Sequence, residues 1–164
     1  MTGTKVSYRT VSAYADLLSV PAMEKLMMEA MQEAEKPEYT EEDYAYAAQF
    51  AADENPPSID TDILPADQSI NLGSTDVGDV SWQVPTGLIG VTTEAAGCAL
   101  HTWQIVAQGK SPLVHKGMHY AARILFAAAK KLYESPECCA RIQKDYQNVI
   151  GHRTYQSMLP DSVK

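Results

Sequence analysis

The chain has 164 residues, 45% of them hydrophobic, and a formal net charge of -8. That length suits one domain with a sizeable core, in which roughly 70% of the unfolded chain's surface is buried. The acidic balance, with lysines and arginines scattered and never in a block, argues against nucleic acid or an anionic membrane surface as a partner, because both require a basic footprint.

No segment reaches the roughly 20 apolar residues needed to span a bilayer, and Met1 to Tyr8 lack the apolar core of a signal peptide. The cytoplasm is therefore the expected compartment. The cysteines, Cys98, Cys138 and Cys139, are odd in number and form no disulfide framework. The adjacent pair lacks the spacing of a metal site and reads as small residues on a helix face.

In chain order, Thr4 to Tyr14 alternates Val6, Tyr8, Thr10, Ser12 and Tyr14 against Lys5, Ser7, Arg9, Val11 and Ala13, which predicts a strand. A helix follows over Ala22 to Glu35, with Pro21 suited to its first turn and an apolar stripe of Met23, Leu26, Met27, Ala30 and Met31. The methionines read as core or subunit contact in preference to a promiscuous binding groove. Pro37 ends this helix. Thr40 is the expected N-cap of a second helix, with acidic residues in its first turn, running to about Ala52. Asp53 to Asn71 reads as a long loop. Thr86 to Thr93, with the apolar run Leu88, Ile89 and Val91 between glycines, predicts a buried strand. Ala95 to His101 is a small-residue loop. Pro112 to Glu134 is the strongest helix, with Met118, Ala121, Ala122, Leu125, Ala128, Ala129 and Leu132 on one face. Glu137 to Val149 is the last helix, closed by Gly151, and a loose tail begins at His152. The fold class is mixed α/β, helix-rich, with too few strands for a stable sheet.

The candidate ligands are Asp76, Asp79, Glu94, His101, His115 and His119. Asp76 and Asp79 are three residues apart and share a face if the segment is helical, with Ser74 or Thr75 as cap. Spacing alone favours the plainer reading, a capped helix start whose acids suit the dipole. His101 follows a strand and a small-residue loop, where α/β proteins place ligands, though a lone histidine there also suits a structural hydrogen bond. His115 and His119 have the spacing of a zinc helix, but Lys116 stands where the general-base Glu of such a helix belongs, so the metalloprotease reading fails. A Cys98 nucleophile with His101 as its base has no geometric support.

The string Gly73-Ser74-Thr75-Asp76-Val77-Gly78-Asp79-Val80-Ser81-Trp82, with His101-Thr102-Trp103-Gln104, Gln108-Gly109 and His115-Lys116-Gly117-Met118 in the same order and spacing, resembles the zinc-dependent aminoacylase and carboxypeptidase G family of amidohydrolases. The close match runs from about Leu72 to Tyr133. The resemblance implies the C-terminal part of a three-layer α/β catalytic domain of zinc-peptidase type, with an incomplete sheet. Residues 1–18 would be the last strand of an inserted dimerisation domain, 19–151 the returning catalytic part and 152–164 a tail.

The family's chemistry uses two divalent ions, zinc or manganese, to polarise an amide carbonyl and activate water, with a glutamate as general base. Of its ligands only the last maps here, onto His101. Ser74, Thr75, Asp76 and Asp79 match the family string and are expected to shape the pocket or orient the ligand loop through hydrogen bonds. The loop before His101 lacks the Pro expected there. One imidazole is short of the three or so protein ligands of a catalytic zinc, so this chain alone is expected to bind no metal and to be inactive. The implied activity is cleavage of an amide such as aminobenzoyl-glutamate or another N-acyl amino acid. The alternative is a non-catalytic structural or partner subunit. The expected partners are a missing N-terminal half of the catalytic domain or further copies in a homo-oligomer.

Overall fold

Local signals place the helices. In the computed structural model, which describes residues 2–51, 58–65, 73–161 and 163, they are α1 (Pro21–Glu33), α2 (Glu41–Ala47), α3 (Val77–Ser81), α4 (Trp103–Gln108), α5 (Pro112–Glu134) and α6 (Pro136–Ile150). Proline occupies the first turn of α1, α5 and α6, where its missing N–H costs nothing. Thr40 caps α2 as predicted, in a reciprocal box: its hydroxyl accepts from the Asp43 N–H while the Asp43 carboxylate accepts from the Thr40 N–H. Ser111 and Ser135 cap α5 and α6 with their hydroxyls. Gly151, at φ +61°, stops α6 where the sequence predicts.

Two apolar clusters hold these helices. In the larger, α1 packs on α5 and α6 through Val20, Met23, Leu26, Met27, Ala30, Ile124, Ala128, Cys138, Ile142 and Tyr146. The methionine stripe of α1 is thus core, and burying each such side chain contributes roughly 1.5–3 kcal/mol. The smaller cluster joins Ala47, Ile59, Ala95 and Leu113, beneath α2 and the start of α5. Of the cysteine pair, Cys138 is buried in the larger cluster and Cys139 is exposed.

The architecture is helix-rich, and neither predicted strand forms: no strand occurs among the described residues. In the Thr4–Tyr14 segment Val6 and Tyr8 are 92% and 93% exposed. Its alternation supplies two faces, but a strand needs a neighbour for its backbone, and none is present among the described residues. Thr86–Thr93 likewise lacks a ladder. It still lies where a strand would: Ile89 and Val91 pack on the larger cluster, and Gly87 rests against Met23 and Met27. The second helix ends at Ala47 and continues as a turn, short of Ala52. Ala52, most of the predicted 53–71 loop and Leu72 lie outside the described residues. The tail is not loose at its start. Arg153 donates to the Val149 and Ile150 carbonyls and its guanidinium sits 4.9 Å from the centre of the Trp82 ring.

Candidate functional site

The Gly73–Trp82 string forms a small docking platform for the chain just ahead of α1. Residues 77–81 make α3, with Asp76 at the N-cap position. The Asp79 carboxylate accepts the Ala15 N–H at 2.9 Å. Ser81 is fully buried; its hydroxyl accepts the Leu18 N–H at 2.9 Å and donates to the Gly78 carbonyl at 2.6 Å. Trp82 Nε1 donates to the Asp16 carbonyl at 2.9 Å. Gly78 is obligatory, because a Cβ there would come within 1.9 Å of the Ala15 oxygen. Four residues of the string thereby fix Ala15 to Leu18.

The capping expectation is corrected. Neither Ser74 nor Thr75 is the cap; Asp76 holds that position, and its side chain makes no cap hydrogen bond. Thr75 instead accepts the Val77 N–H through its hydroxyl at 3.3 Å. Ser74, Thr75 and Asp76 are exposed, whereas Asp79 is half-buried and engaged with Ala15.

The loop carrying His101 is built around Gln108, a residue whose role sequence reasoning missed. Its side chain is fully buried. Its oxygen accepts the Ala95 N–H at 2.8 Å, and its nitrogen donates to the Gln104 carbonyl at 3.1 Å and to Cys98 Sγ at 3.5 Å. The Cys98 thiol in turn donates to the Phe50 carbonyl at 3.2 Å, and the Ala96 N–H donates to the Ser58 carbonyl at 2.8 Å. The thiol is thus held between α4 and the end of the α2 turn. His101 leaves this pinned loop at φ +62°, the one non-glycine residue at positive φ among the described residues. Its ring is exposed, between exposed Leu100 and Trp103.

Lys116 and Gly117 also have structural work. Lys116 forms an ion pair with Asp43, which is 5% exposed. Burial, the largest influence, pushes the Asp43 carboxyl up; the bonds from Lys116 and Thr40 together outweigh it and hold the group below its ordinary value. The same ammonium lies 5.7 Å from the centre of the Tyr39 ring. Burial, and then the Asp43 charge, raise the Tyr39 hydroxyl. At Gly117 the 92–93 segment crosses α5 so closely that a Cβ would stand 2.1 Å from the Thr92 oxygen. A capping-box acid at Asp43 and a cation in the second turn of α5 were the signals that could have found this pair.

The remaining candidates are dispersed. Glu94 accepts the Thr93 hydroxyl at 2.6 Å. His115 and His119 are exposed on α5. Among the described residues no group of three or more His, Cys, Asp or Glu is placed to hold a metal ion. The residues present therefore do not by themselves fit the divalent pair that the resemblance implies. A small cleft lined by Lys36, Tyr39, Asp60, Asp62, Val91 and Tyr120 includes none of the predicted site residues. Among the described residues no helix is long and apolar enough to cross a membrane.

The chain is 28% identical over 192 aligned residues to a subunit of p-aminobenzoyl-glutamate hydrolase from Escherichia coli (strain K12). The alignment takes in 99% of this chain and 40% of the relative, so the chain spans two-fifths of the length of the curated relative it matches. No family model matches, and no solved structure matches. The comparison supports the resemblance drawn from the Gly73–Trp82 and His101–Gln104 strings, that of a C-terminal segment of such a protein.

Proposed function

We propose that this chain supplies the C-terminal part of a metal-dependent amidohydrolase that cleaves an amide such as p-aminobenzoyl-glutamate or another N-acyl amino acid. The observation that carries the reading is the match along 99% of the chain to a subunit of p-aminobenzoyl-glutamate hydrolase. His101 is the one residue assigned to a metal, zinc or manganese; the other ligands and the general base come from outside this chain. A divalent pair, when bound, supplies Lewis-acid activation of carbonyl and water. This chain's own part is to present one imidazole from a loop that Gln108 and Phe50 hold by hydrogen bonds at Ala95 and Cys98, with Asp79 and Ser81 anchoring Ala15–Leu18 just ahead of α1. Ser74, Thr75 and Asp76 are open to a substrate or to the completing polypeptide.

In this reading residues 1–18 close an inserted dimerisation domain, 19–151 return to a three-layer α/β catalytic domain and 152–164 form the tail. Residues 86–93 become a strand when neighbouring strands are present. The compartment is cytoplasmic. A second reading, a non-catalytic partner subunit in a larger or homo-oligomeric assembly, is favoured by one observation: the relative is itself one subunit of a hydrolase.

The test is an assay on p-aminobenzoyl-glutamate of the purified chain, with and without a polypeptide covering the part of the relative that this chain does not match, with metal content measured in parallel. The chain alone is expected to be silent and metal-poor, and the combination to be chelator-sensitive and active. Chelator-sensitive turnover by the chain alone would overturn the reading. A stable combination without turnover would transfer support to the partner-subunit reading.

A further inference from the structure

The turn that carries His101 leads straight into an exposed tryptophan. Thr102 donates its hydroxyl to the Ala99 carbonyl at 2.8 Å, which closes residues 99–102 into a turn. Leu100 and His101 lie within it, and Trp103 opens α4 directly after it. A chain advances at most roughly 3.6 Å per residue, so the Cα atoms of His101 and Trp103 lie within roughly 7 Å of each other. Val106 stands one turn along α4 from Trp103, on the same side of the helix. Leu100 is 68%, Trp103 70% and Val106 80% exposed. Three large apolar side chains thus stand open beside the one residue assigned to a metal.

The indole is open and yet held in place. Its ring meets the Phe50 ring edge-on, at 6.4 Å between centres and 61°. Phe50 in turn packs on Tyr46, with 5.2 Å between centres. Tyr46 donates its hydroxyl to the Ala107 carbonyl, 3.4 Å away, so the same row of rings ties α2 to α4. Tryptophan is highly buried in most folds, because its ring removes a large apolar area from water. Here the fold supports the ring on one side and leaves most of it to solvent, which is the arrangement of a wall for a flat ligand.

We infer that Trp103, flanked by Leu100 and Val106 and two residues from His101, is the wall that receives an aromatic acyl group and makes the site prefer aroyl over aliphatic amides. This rests on the reading under Proposed function and adds the residue that sets its acyl specificity. The occupant follows from chemistry. In the p-aminobenzoyl amide proposed above, the ring is bonded directly to the carbonyl carbon under attack. A carbonyl seated beside His101 therefore puts the ring within one side chain's reach of Trp103. Offset stacking on the indole rewards that ring, and an acetyl group has no face to stack.

The test uses the fact that the chain has two tryptophans, Trp82 and Trp103. Labelling with 5-fluorotryptophan gives two fluorine resonances, assigned with Trp103→Phe. The metal-stripped labelled chain is titrated with p-aminobenzoyl-glutamate or N-acetyl-glutamate, alone and joined by the part of the E. coli relative that it does not match. The Trp103 resonance should shift saturably with the aroyl ligand and little with the acetyl one. Trp82, engaged with the Asp16 carbonyl, should stay. In the metal-loaded assembly Trp103→Ala should lower kcat/KM for p-aminobenzoyl-glutamate by about tenfold or more, through KM, and that for N-acetyl-glutamate by about twofold or less. Trp103→Phe should restore most of the loss. Should Trp103→Ala fail to fold, Trp103→Leu, which keeps apolar bulk without a ring face, replaces it. A resonance indifferent to the aroyl ligand in both forms, or equal losses on both substrates, overturns the inference and leaves the proposed function standing. A resonance that moves when the completing polypeptide binds and from then on ignores both ligands assigns the indole to that interface and overturns the inference. A wild-type assembly without turnover overturns the proposed function, and the wall then stands or falls with the fluorine titration.

Discussion

Lys116 on α5 reaches the buried carboxylate of Asp43 on α2, so the string His115–Met118 ties together two helices that meet over the smaller apolar cluster. One residue on, Gly117 admits the Thr92 carbonyl against the helix. The motif thus reads as a joint. Its cation answers an acid that already closes the N-terminus of α2, and its glycine sets the spacing to the segment that leads to the His101 loop.

Asp43→Asn is expected to cost about 2–3 kcal/mol of stability, because it leaves a partly buried ammonium without its counter-charge. The effect carries a pH signature. The Asp43 carboxyl is held below its ordinary value of 3.8 in the fold, so its contribution is present above that value and is lost as pH falls below it through the folded value. Thermal midpoints measured from neutral pH into this acid range should drop more steeply for the wild type than for Asp43→Asn. Parallel curves would show that the pair contributes nothing.

Gly78→Ala is expected to detach Ala15–Leu18 from α3, since the added methyl would meet the Ala15 oxygen at 1.9 Å, a backbone atom that cannot rotate away. A destabilisation of about 1–3 kcal/mol follows from overpacking at such a site. Limited proteolysis should cut ahead of α1 sooner than in the wild type. An unchanged cleavage pattern would mean that the platform does not hold this segment.

Gln108→Leu keeps the volume and removes the hydrogen bonds. The Ala95 N–H and the Gln104 carbonyl lose their partner in a buried place, at a cost of about 1–3 kcal/mol. Backbone amide exchange over residues 95–101 should accelerate by more than exchange in α5. Uniform acceleration across both would show that Gln108 acts only as general core.

Helices α1, α2, α5 and α6 were legible because their signals are local: Pro21, the Thr40–Asp43 box, Pro112 and Gly151 each act within one turn; the short α4, which has no proline and no side-chain cap, was not. The strands were not, because the alternation at 4–14 and the apolar run at 86–93 specify a preference for pairing that only a neighbour can satisfy. The Gly73–Trp82 string stood out as a motif, but its partners lie at Ala15 to Leu18, more than 60 residues earlier. No periodicity connects the two. Gln108 shows the same limit: a glutamine in a short helix carries no mark of full burial, and its place becomes visible only when Ala95 and Cys98 are folded onto it.

The backbone of His101 separates stability from function. A non-glycine residue at φ +62° sits in the left-handed region, where the β-carbon crowds the following carbonyl at a cost of roughly 1–2 kcal/mol. Glycine has no such penalty there. The imidazole is exposed, so its removal forfeits little packing. His101→Gly should therefore leave the isolated chain as stable or raise its stability by up to about 1 kcal/mol, read by chemical denaturation. If His101 serves as the one metal ligand this chain contributes, the same substitution should abolish turnover once the completing polypeptide is present. A loss of stability in the isolated chain would assign His101 a structural role. Full turnover in the completed assembly would remove it from the metal site.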